Sequence, residues 1–170
     1  MRSYMRRRYL RRAGRILPKV LARGTYEFTF DLMPMRASAM PLRKRLNLIR
    51  SGLNLFYRPA RPWSWPIHMQ IELTNYCNLR CRVCPTGTGL MRREKGNLDV
   101  DLYARLMKEA GLYLLTASLW GWGEPLLHPH FEQIVRITRD QGVIPLISTN
   151  GQNLQNERVL EGLLDEPPTY

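Results

Sequence analysis

The hydrophobic pattern of residues 67–166 switches repeatedly between a period of two and a period of about 3.6. A period of two predicts strands, which lie at 67–73, 115–120 and 143–151. A period near 3.6 predicts the helices that follow them, at 97–111, 130–142 and 153–166. Strands that alternate with helices build a parallel sheet, because each helix carries the chain back to start the next strand in the same direction. The fold class is therefore α/β.

Local signals mark the ends of the predicted helices. We expect the first helix to begin at the capping residue Asn97 and to end near Gly111. The second stops at Gly142, and the third stops before Pro167. In such a sheet the functional loops follow the carboxyl ends of the strands, and the unusual residues of the chain lie in these loops.

All three cysteines follow the first predicted strand, in the sequence CNLRCRVC, as Cys77, Cys81 and Cys84. They could be buried structural thiols, a disulfide with one spare thiol, or ligands. An odd number in tight spacing fits a reducing compartment better than a disulfide framework. A structural zinc site would need a fourth ligand, for which His128 and His130 are candidates. Three thiolates can instead hold three irons of a 4Fe-4S cluster and leave the fourth iron open for chemistry.

Two further motifs follow the later strands, GWGEPLLHP after the second and STNG after the third. Together with C-x3-C-x2-C after the first strand, they resemble the radical S-adenosylmethionine (SAM) enzymes. The resemblance covers 71–151 and implies the first three strand-helix units of a partial (β/α)6 barrel. It also implies a 4Fe-4S cluster held by the cysteines, whose open iron chelates the amino and carboxylate groups of SAM. Reductive cleavage then gives methionine and a 5′-deoxyadenosyl radical, which abstracts hydrogen from a substrate.

The resemblance assigns cofactor contacts to the GWGEP segment. Gly123, Glu124 and Pro125 match the element that accepts hydrogen bonds from the amino group of SAM. Backbone carbonyls and a carboxylate are suitable acceptors for an ammonium group. The alternative for Glu124 is a carboxylate that caps the following helix near His130.

Three further residues are expected at the cofactor. Ser148 and Thr149 would donate hydroxyl hydrogen bonds to its carboxylate or ribose, although TNG alone is also an ordinary turn. Val83 replaces the aromatic residue common before the last cysteine and would offer apolar contact to adenine. Trp122 replaces a glycine of the family pattern, and we expect it in the core at the strand end rather than stacked on the cofactor.

The resemblance also implies an electron donor, such as flavodoxin or ferredoxin, because the cluster must be reduced. It covers only three of the six strand-helix units, so we expect an N-terminal portion of a longer enzyme, inactive alone if the rest is required. Some branches of the family carry a C-terminal auxiliary iron-sulfur (SPASM-type) domain, which is absent from this sequence.

Residues 1–66 differ sharply in charge from the rest of the chain. They carry 16 Lys and Arg against two acidic residues, a net charge of +14, whereas 67–170 carries 10 against 12, a net charge of −2. We therefore predict a basic leader over 1–66, ending in the Pro- and Trp-rich connector 57–66, and a radical SAM core over 67–170.

Two basic amphipathic helices are predicted in the leader, over 1–24, where Pro18 should end or kink the helix, and over 41–57. The second has an apolar face, listed here as Leu42, Leu46, Ile49, Leu53 and Phe56, while Arg43, Lys44, Arg45 and Arg50 lie elsewhere. This helix either lies on an anionic membrane surface through 1–57 or packs on the core with solvated arginines. Nucleic-acid binding is not expected, because no RNA-recognition motif accompanies the charge.

The sequence lacks an apolar run of 18 residues and the apolar segment of a secretory signal, so we predict a cytoplasmic protein, peripheral to the inner face of the membrane if the leader binds lipid. The competing hypothesis is a non-enzymatic, zinc-stabilised module whose basic leader binds membrane or RNA.

Overall fold

The structure, a computed structural model, describes residues 13–30 and 32–169. They form two compact units that divide between Ile67 and His68. Within these ranges no helix is both long enough and apolar enough to cross a membrane.

The helix predicted over 1–24 lies partly outside the described residues, which begin at Ala13. Residues 13–18 are α-helical, and the helix continues past Pro18 as a π-helical turn, Lys19–Arg23. Proline removes an N–H donor and crowds the preceding turn, so a change of winding directly after it is the expected form of a kink. The turn ends at Gly24, whose φ of 60° is a left-handed value that glycine adopts readily.

A β-hairpin follows, which the sequence analysis did not predict. Strand β1 is Tyr26–Phe30 and strand β2 is Met33–Ala37, and they pair antiparallel with Tyr26 opposite Ala37. The aromatic side chains of β1 are half-buried and alternate with exposed Glu27 and Thr29. That alternation over five residues is the signal that could have revealed the strand.

Helix α1, Leu42–Tyr57, agrees with the prediction over 41–57, but its buried face differs from the predicted one. Leu42 and Leu53 are 62% and 42% exposed, whereas Lys44 is only 3% exposed. Lys44, which the pattern places outside the apolar face, is thus among the buried residues of the helix. Burial lowers the pKa of Lys44 to about 8, because a buried ammonium group loses its hydration.

The segment after α1 is tied to the helix by two asparagines, which explains which helix face is covered. Asn47 accepts a hydrogen bond from Trp65 N–H at 2.9 Å and donates one to the Trp65 carbonyl at 3.1 Å. Asn54 accepts from Trp63 N–H at 2.9 Å and donates to Ser64 Oγ at 2.8 Å. Hydrophobic periodicity misses this arrangement because the contacts that determine the buried side are polar.

The second unit contains three parallel strands that alternate with helices, as predicted. The elements are β3 (His68–Gln70), α2 (Val100–Ala110), β4 (Thr116–Ser118), α3 (Phe131–Asp140), β5 (Ile144–Leu146) and α4 (Glu157–Asp165). The sheet order is β3-β4-β5, with His68 beside Thr116 and Thr116 beside Ile144. Sequential strands are thus neighbours, so the three loops that follow them leave the same end of the sheet.

The core of this unit lies between the sheet and helices α2 and α3. Its members, all less than 10% exposed, include Ile71, Leu73, Tyr103, Met107, Leu119, Ile134 and Val135. The buried Tyr103 hydroxyl forms a 2.6 Å hydrogen bond with Thr138, and burial raises the pKa of Tyr103 to about 12. This pair satisfies the polar atoms that the helix contact would otherwise bury unpaired.

Two helix starts differ from the predictions. Helix α2 is capped by Asp99, whose side chain accepts from Leu102 N–H, and not by Asn97. Asn97 instead forms an antiparallel bridge with Thr74. Helix α4 begins at Glu157 rather than 153, because the 3-10 turn Gln152–Gln155 precedes it.

Candidate functional site

Three loops lie at the carboxyl ends of the strands. We call them the cysteine loop (77–93, after β3), the GWGEP loop (121–125, after β4) and the STNG loop (148–151, after β5). They contact one another directly. Tyr76, just before the cysteine loop, accepts a 2.8 Å hydrogen bond from Glu124 N–H, and Asn150 donates a 2.9 Å hydrogen bond to Asn78 Oδ1. The three motifs of the sequence therefore form one site.

The base of the cysteine loop is closed by Thr74 and Asn75, which the sequence analysis missed. Both are buried, at 3% and 7% exposure. Asn75 donates a 2.7 Å hydrogen bond to the Glu94 carbonyl and accepts one of 2.7 Å from Gly96 N–H. The Thr74 hydroxyl donates to the Gly96 carbonyl and accepts from Tyr76 N–H. The polar Thr-Asn pair between the first predicted strand and Cys77 is the sequence signal that could have indicated that these residues close the loop.

The cysteine loop folds back on itself around its three thiols. Cys84 N–H donates to the Cys81 carbonyl at 3.2 Å, and Thr88 N–H donates to the Cys84 carbonyl at 2.9 Å. A Cβ atom at Gly87 would lie 2.5 Å from the backbone nitrogen of Cys81. Glycine at 87 is thus required for the loop to close over the second cysteine.

All three thiols are free and reachable: Cys81 is exposed, and Cys77 and Cys84 are partly exposed. Leu79 N–H points at Cys77 Sγ, with nitrogen and sulfur 3.4 Å apart. Hydrogen bonds from Gly87 N–H, and secondarily from Thr86, hold the pKa of the Cys84 thiol below its usual value. Donors aimed at sulfur favour the thiolate, which is the form that binds metals.

The donor set fits a 4Fe-4S cluster better than zinc. Within the described part of the chain, no three His, Cys, Asp or Glu side chains gather around one point where a single metal ion could bind. A cluster makes a different demand, since each thiolate binds its own iron. His128 is 4% exposed, and its ring nitrogens are hydrogen-bonded to the Leu98 carbonyl and to His130 N–H. His128, a candidate zinc ligand, therefore has both ring nitrogens engaged in hydrogen bonds to the protein.

The GWGEP loop packs tightly on the strand that leads to the cysteines. A Cβ atom at Gly123 would overlap the carbonyl oxygen of Thr74 and lie 2.9 Å from the Asn75 Cα atom. Only glycine permits this approach. Trp122 is 52% exposed, so the prediction that it is a core residue is wrong. Its carbonyl oxygen lies 3.9 Å from Cys84 Sγ.

The Glu124 carboxylate, to which the resemblance assigns a cofactor contact, is hydrogen-bonded to two neighbouring loops. Glu124 is 3% exposed. Its Oε1 accepts hydrogen bonds from Leu126 N–H at 3.1 Å and from the Thr149 hydroxyl at 2.6 Å, and its Oε2 accepts from Asn150 N–H at 2.8 Å. The bond to Leu126 caps the 3-10 turn Pro125–Leu127, in line with the capping alternative. The carboxylate therefore joins the GWGEP and STNG loops.

The remaining predicted residues differ in how accessible they are. Ser148 is exposed, and Val83 is 95% exposed beside Cys84. The Thr149 hydroxyl is engaged by Glu124 and accepts from Gly151 N–H at 3.1 Å. Asn150 was not among the predicted site residues, and its side-chain nitrogen lies 4.0 Å from Cys77 Sγ.

Comparison with known proteins agrees with this geometry. The family model of the radical SAM superfamily matches residues 71–170, more than half of the chain and all three loops. The chain belongs to the radical SAM superfamily. Enzymes of this superfamily use a 4Fe-4S cluster together with SAM, so the family, fold class and cofactors expected from the motifs are confirmed.

Two curated relatives are similar to this radical SAM protein over about half of its chain. The tungsten-containing aldehyde ferredoxin oxidoreductase cofactor-modifying protein of Pyrococcus furiosus is 34% identical over 55% of this chain and 26% of its own length. The PqqA peptide cyclase of Streptomyces rochei is 31% identical over 55% of this chain and 25% of its own length. The chain thus spans about a quarter of the length of these relatives.

A solved structure shares the fold. The structure of BtrN in complex with AdoMet and 2-DOIA superimposes with a TM-score of 0.51 at 27% identity, over 60% of this chain and 42% of BtrN. The superposition supports the expected partial barrel.

Proposed function

We propose that Cys77, Cys81 and Cys84 hold a 4Fe-4S cluster and that the loops around them bind SAM. The observation that carries the proposal is the convergence of three free thiols with the GWGEP and STNG loops through Glu124 and Asn150. When bound, the reduced cluster supplies the electron that cleaves SAM to methionine and a 5′-deoxyadenosyl radical. Flavodoxin or ferredoxin would reduce the cluster beforehand, and the radical would serve to abstract hydrogen from a substrate.

Different residues of this chain would bind the cluster and SAM. The thiols serve as iron ligands, and the hydrogen bond from Gly87 N–H favours the thiolate form of Cys84. The Trp122 carbonyl beside Cys84 is a suitable acceptor for the amino group of SAM. Exposed Ser148 and Thr149 and the Glu124 carboxylate would contact SAM, and Glu124 and Thr149 also join the two loops to each other.

Anaerobic reconstitution with iron and sulfide tests this function. We expect about four irons per chain, a brown protein, and reductive cleavage of SAM on addition of dithionite. Cys81→Ala should lose cluster assembly and cleavage, because one of three iron ligands is gone, while Cys81→Ala and wild type should have equal helix content by circular dichroism. Zinc retained at one per chain without iron uptake would favour the zinc-stabilised module, and cleavage by Cys81→Ala at the wild-type rate would disprove the ligand assignment.

We further propose that the leader binds an anionic lipid surface, which would place the protein at the inner face of the membrane. The supporting observation is that leucines of the predicted apolar face of α1, Leu42 at 62%, Leu46 at 41% and Leu53 at 42%, remain exposed in a segment with many arginines. An apolar helix face flanked by cations is the pattern of interfacial helices, and each Lys or Arg near the surface contributes about 1 kcal/mol.

Sedimentation with vesicles tests the membrane proposal. We expect binding to vesicles of phosphatidylglycerol and phosphatidylcholine, weakened by salt, and little binding to pure phosphatidylcholine. Leu42→Ser with Leu46→Ser should reduce binding several-fold. Leu164→Ser is the matched control, because it removes a leucine that is 71% exposed on α4. Equal binding by all variants would contradict the proposal, and binding to RNA alone would replace it with the nucleic-acid alternative.

A further inference from the structure

Glu72 lies two residues after β3, and its carboxylate contacts two of the site loops. Its Oε1 accepts a 2.7 Å hydrogen bond from Trp122 N–H in the GWGEP loop. Its Oε2 lies 2.6 Å from Arg93 Nη1, at the end of the cysteine loop. The Glu72 side chain is only 20% exposed. None of the motifs that define the site includes this residue.

The fit between Glu72 and the GWGEP loop is tight. A Cβ atom at Gly121 would lie 2.7 Å from both Cγ and Oε1 of Glu72. Glycine at 121 therefore lets the Glu72 side chain lie directly against the loop backbone. At Trp122 the N–H is held by Glu72, and the carbonyl of the same residue lies 3.9 Å from Cys84 Sγ. One residue, Trp122, thus connects the Glu72 carboxylate to the carbonyl beside Cys84.

The two contacts of Glu72 differ in how much each is expected to stabilise the position of its carboxylate. The Arg93 side chain is 56% exposed, and exposed ion pairs contribute little because water and salt screen them. The contact still orders Arg93, which also approaches Met91 Sδ at 3.5 Å. The bond to Trp122 N–H is short and has a charged acceptor, the class of hydrogen bond that is about twice as strong as a neutral one. The Trp122 contact is therefore the dominant one.

Glu72 also forms part of an open pocket of about 580 Å³ beside the cysteines. Its lining includes Glu72 and Arg93 on one side, Trp120 and Trp122 on another, and Pro85, the residue after Cys84. A shift of Trp122 would change both the carbonyl beside Cys84 and the shape of this pocket.

We propose that Glu72 is a positioning residue that fixes the Trp122 backbone so that its carbonyl oxygen faces the SAM amino group beside Cys84. The role in SAM binding rests on the proposed function. The Trp122 tether itself belongs to the apo protein and is tested there. Arg93 supports this role by holding the other carboxylate oxygen of Glu72.

Hydrogen exchange on the apo full chain tests the tether. In Glu72→Ala we expect peptides that contain the Trp122 amide to exchange about tenfold faster or more, because a charge-assisted hydrogen bond is lost. Glu72→Gln keeps an oxygen acceptor but loses the ion pair, so exchange at Trp122 should stay within about threefold of wild type. Arg93→Met should behave like Glu72→Gln. Glu109→Gln, on the exposed surface of helix α2, is the matched control for loss of one negative charge. It should leave the exchange rate of the peptides that contain the Trp122 amide unchanged.

SAM binding to the reconstituted protein tests the positioning role. We expect the Kd for SAM to rise about fivefold to tenfold in Glu72→Ala with iron content unchanged, and to recover in Glu72→Gln. The electron paramagnetic resonance change that SAM causes in the reduced cluster should weaken in the same order. A purely structural role would lower iron content and SAM affinity together, and that result would overturn the inference.

The two proposals fail in different ways. Wild-type exchange at Trp122 in Glu72→Ala overturns the tether regardless of cofactor. Cluster assembly and SAM binding by wild type, with the same Kd in Glu72→Ala, overturn the positioning role and leave the proposed function intact. A wild-type chain that assembles the cluster but does not bind SAM overturns both the SAM-binding function and this role of Glu72, while faster exchange would still establish the tether.

Discussion

The Thr149 hydroxyl donates a 2.6 Å hydrogen bond to Glu124 Oε1, and the two residues belong to loops that follow neighbouring strands. Asn150 N–H donates to the other oxygen of the same carboxylate at 2.8 Å. Because Glu124 is nearly fully buried, these contacts and the bond from Leu126 N–H must satisfy its charge. Glu124, for which the resemblance implies a cofactor contact, thus also joins two loops.

Replacement of Thr149 distinguishes a joint from a direct ligand contact. Thr149→Val removes the donor to a buried carboxylate and should lower the free energy of unfolding of the apo protein by about 1.5 kcal/mol or more. Thr149→Ser keeps a hydroxyl and should stay within about 0.5 kcal/mol of wild type. Urea unfolding measures both. An apo protein unaffected by Thr149→Val, with weaker SAM binding after reconstitution, would instead support a direct contact.

Gly123 is predicted to tolerate no side chain. In Gly123→Ala the new methyl group would overlap the Thr74 carbonyl, so either the GWGEP loop or the β3 end must move. We expect a loss of stability of about 1 to 3 kcal/mol, the usual range for overpacking, and a loss of SAM affinity. Gly96→Ala is the control, since a Cβ atom there meets no atom within 4 Å. Equal melting temperatures for the two variants would contradict this expectation.

The sequence predicted the second unit well because its information is local and periodic. The order of strands and helices followed from hydrophobic spacing, and the loops that carry the cysteines, GWGEP and STNG follow the three strands as expected. The roles of Glu72, Thr74 and Asn75 were not predictable in this way. They are defined by polar contacts to residues 19 to 50 positions away, and these contacts carry no period.

The leader was predicted less well for the same reason. Helix α1 was located by its amphipathic pattern, but its covered side is determined by Asn47 and Asn54 through bonds to the segment after the helix. Leu42 and Leu53 of the predicted apolar face are exposed, and Lys44, outside that face, is buried. Amphipathicity reveals that a helix has two faces, whereas its partners determine which face is covered.

Lys44 makes the stability of the folded chain depend on pH. Its pKa is lowered from 10.5 to about 8 by burial, so the unfolded state binds more protons between pH 8 and 10.5. The free energy of unfolding should therefore rise as pH increases through this window, by roughly 3 kcal/mol at most. Below pH 8 the contribution of Lys44 to that free energy should be at its lowest and should not change with pH. Lys44→Met should lose this rise, because the titrating group is gone. Urea unfolding at pH 7, 8.5 and 10 measures it, with Lys108→Met on exposed α2 surface as the control. A rise of equal size in Lys44→Met would assign it to another group.

Asn150 is expected to tune the cluster that the cysteines are proposed to hold. Its side-chain nitrogen lies 4.0 Å from Cys77 Sγ and 2.9 Å from Asn78 Oδ1, so it can direct an N–H dipole at the sulfur. Donors near ligand sulfurs stabilise the reduced, more negative cluster. Asn150→Ala should therefore lower the midpoint potential, by on the order of tens of mV. A redox titration of the reconstituted protein, followed by electron paramagnetic resonance, measures the shift.

Asn153→Ala is the control, because the Asn153 side chain donates to the Leu126 carbonyl and not to a cysteine. An unchanged potential in Asn150→Ala, with full iron content, would contradict the proposed effect of this hydrogen bond.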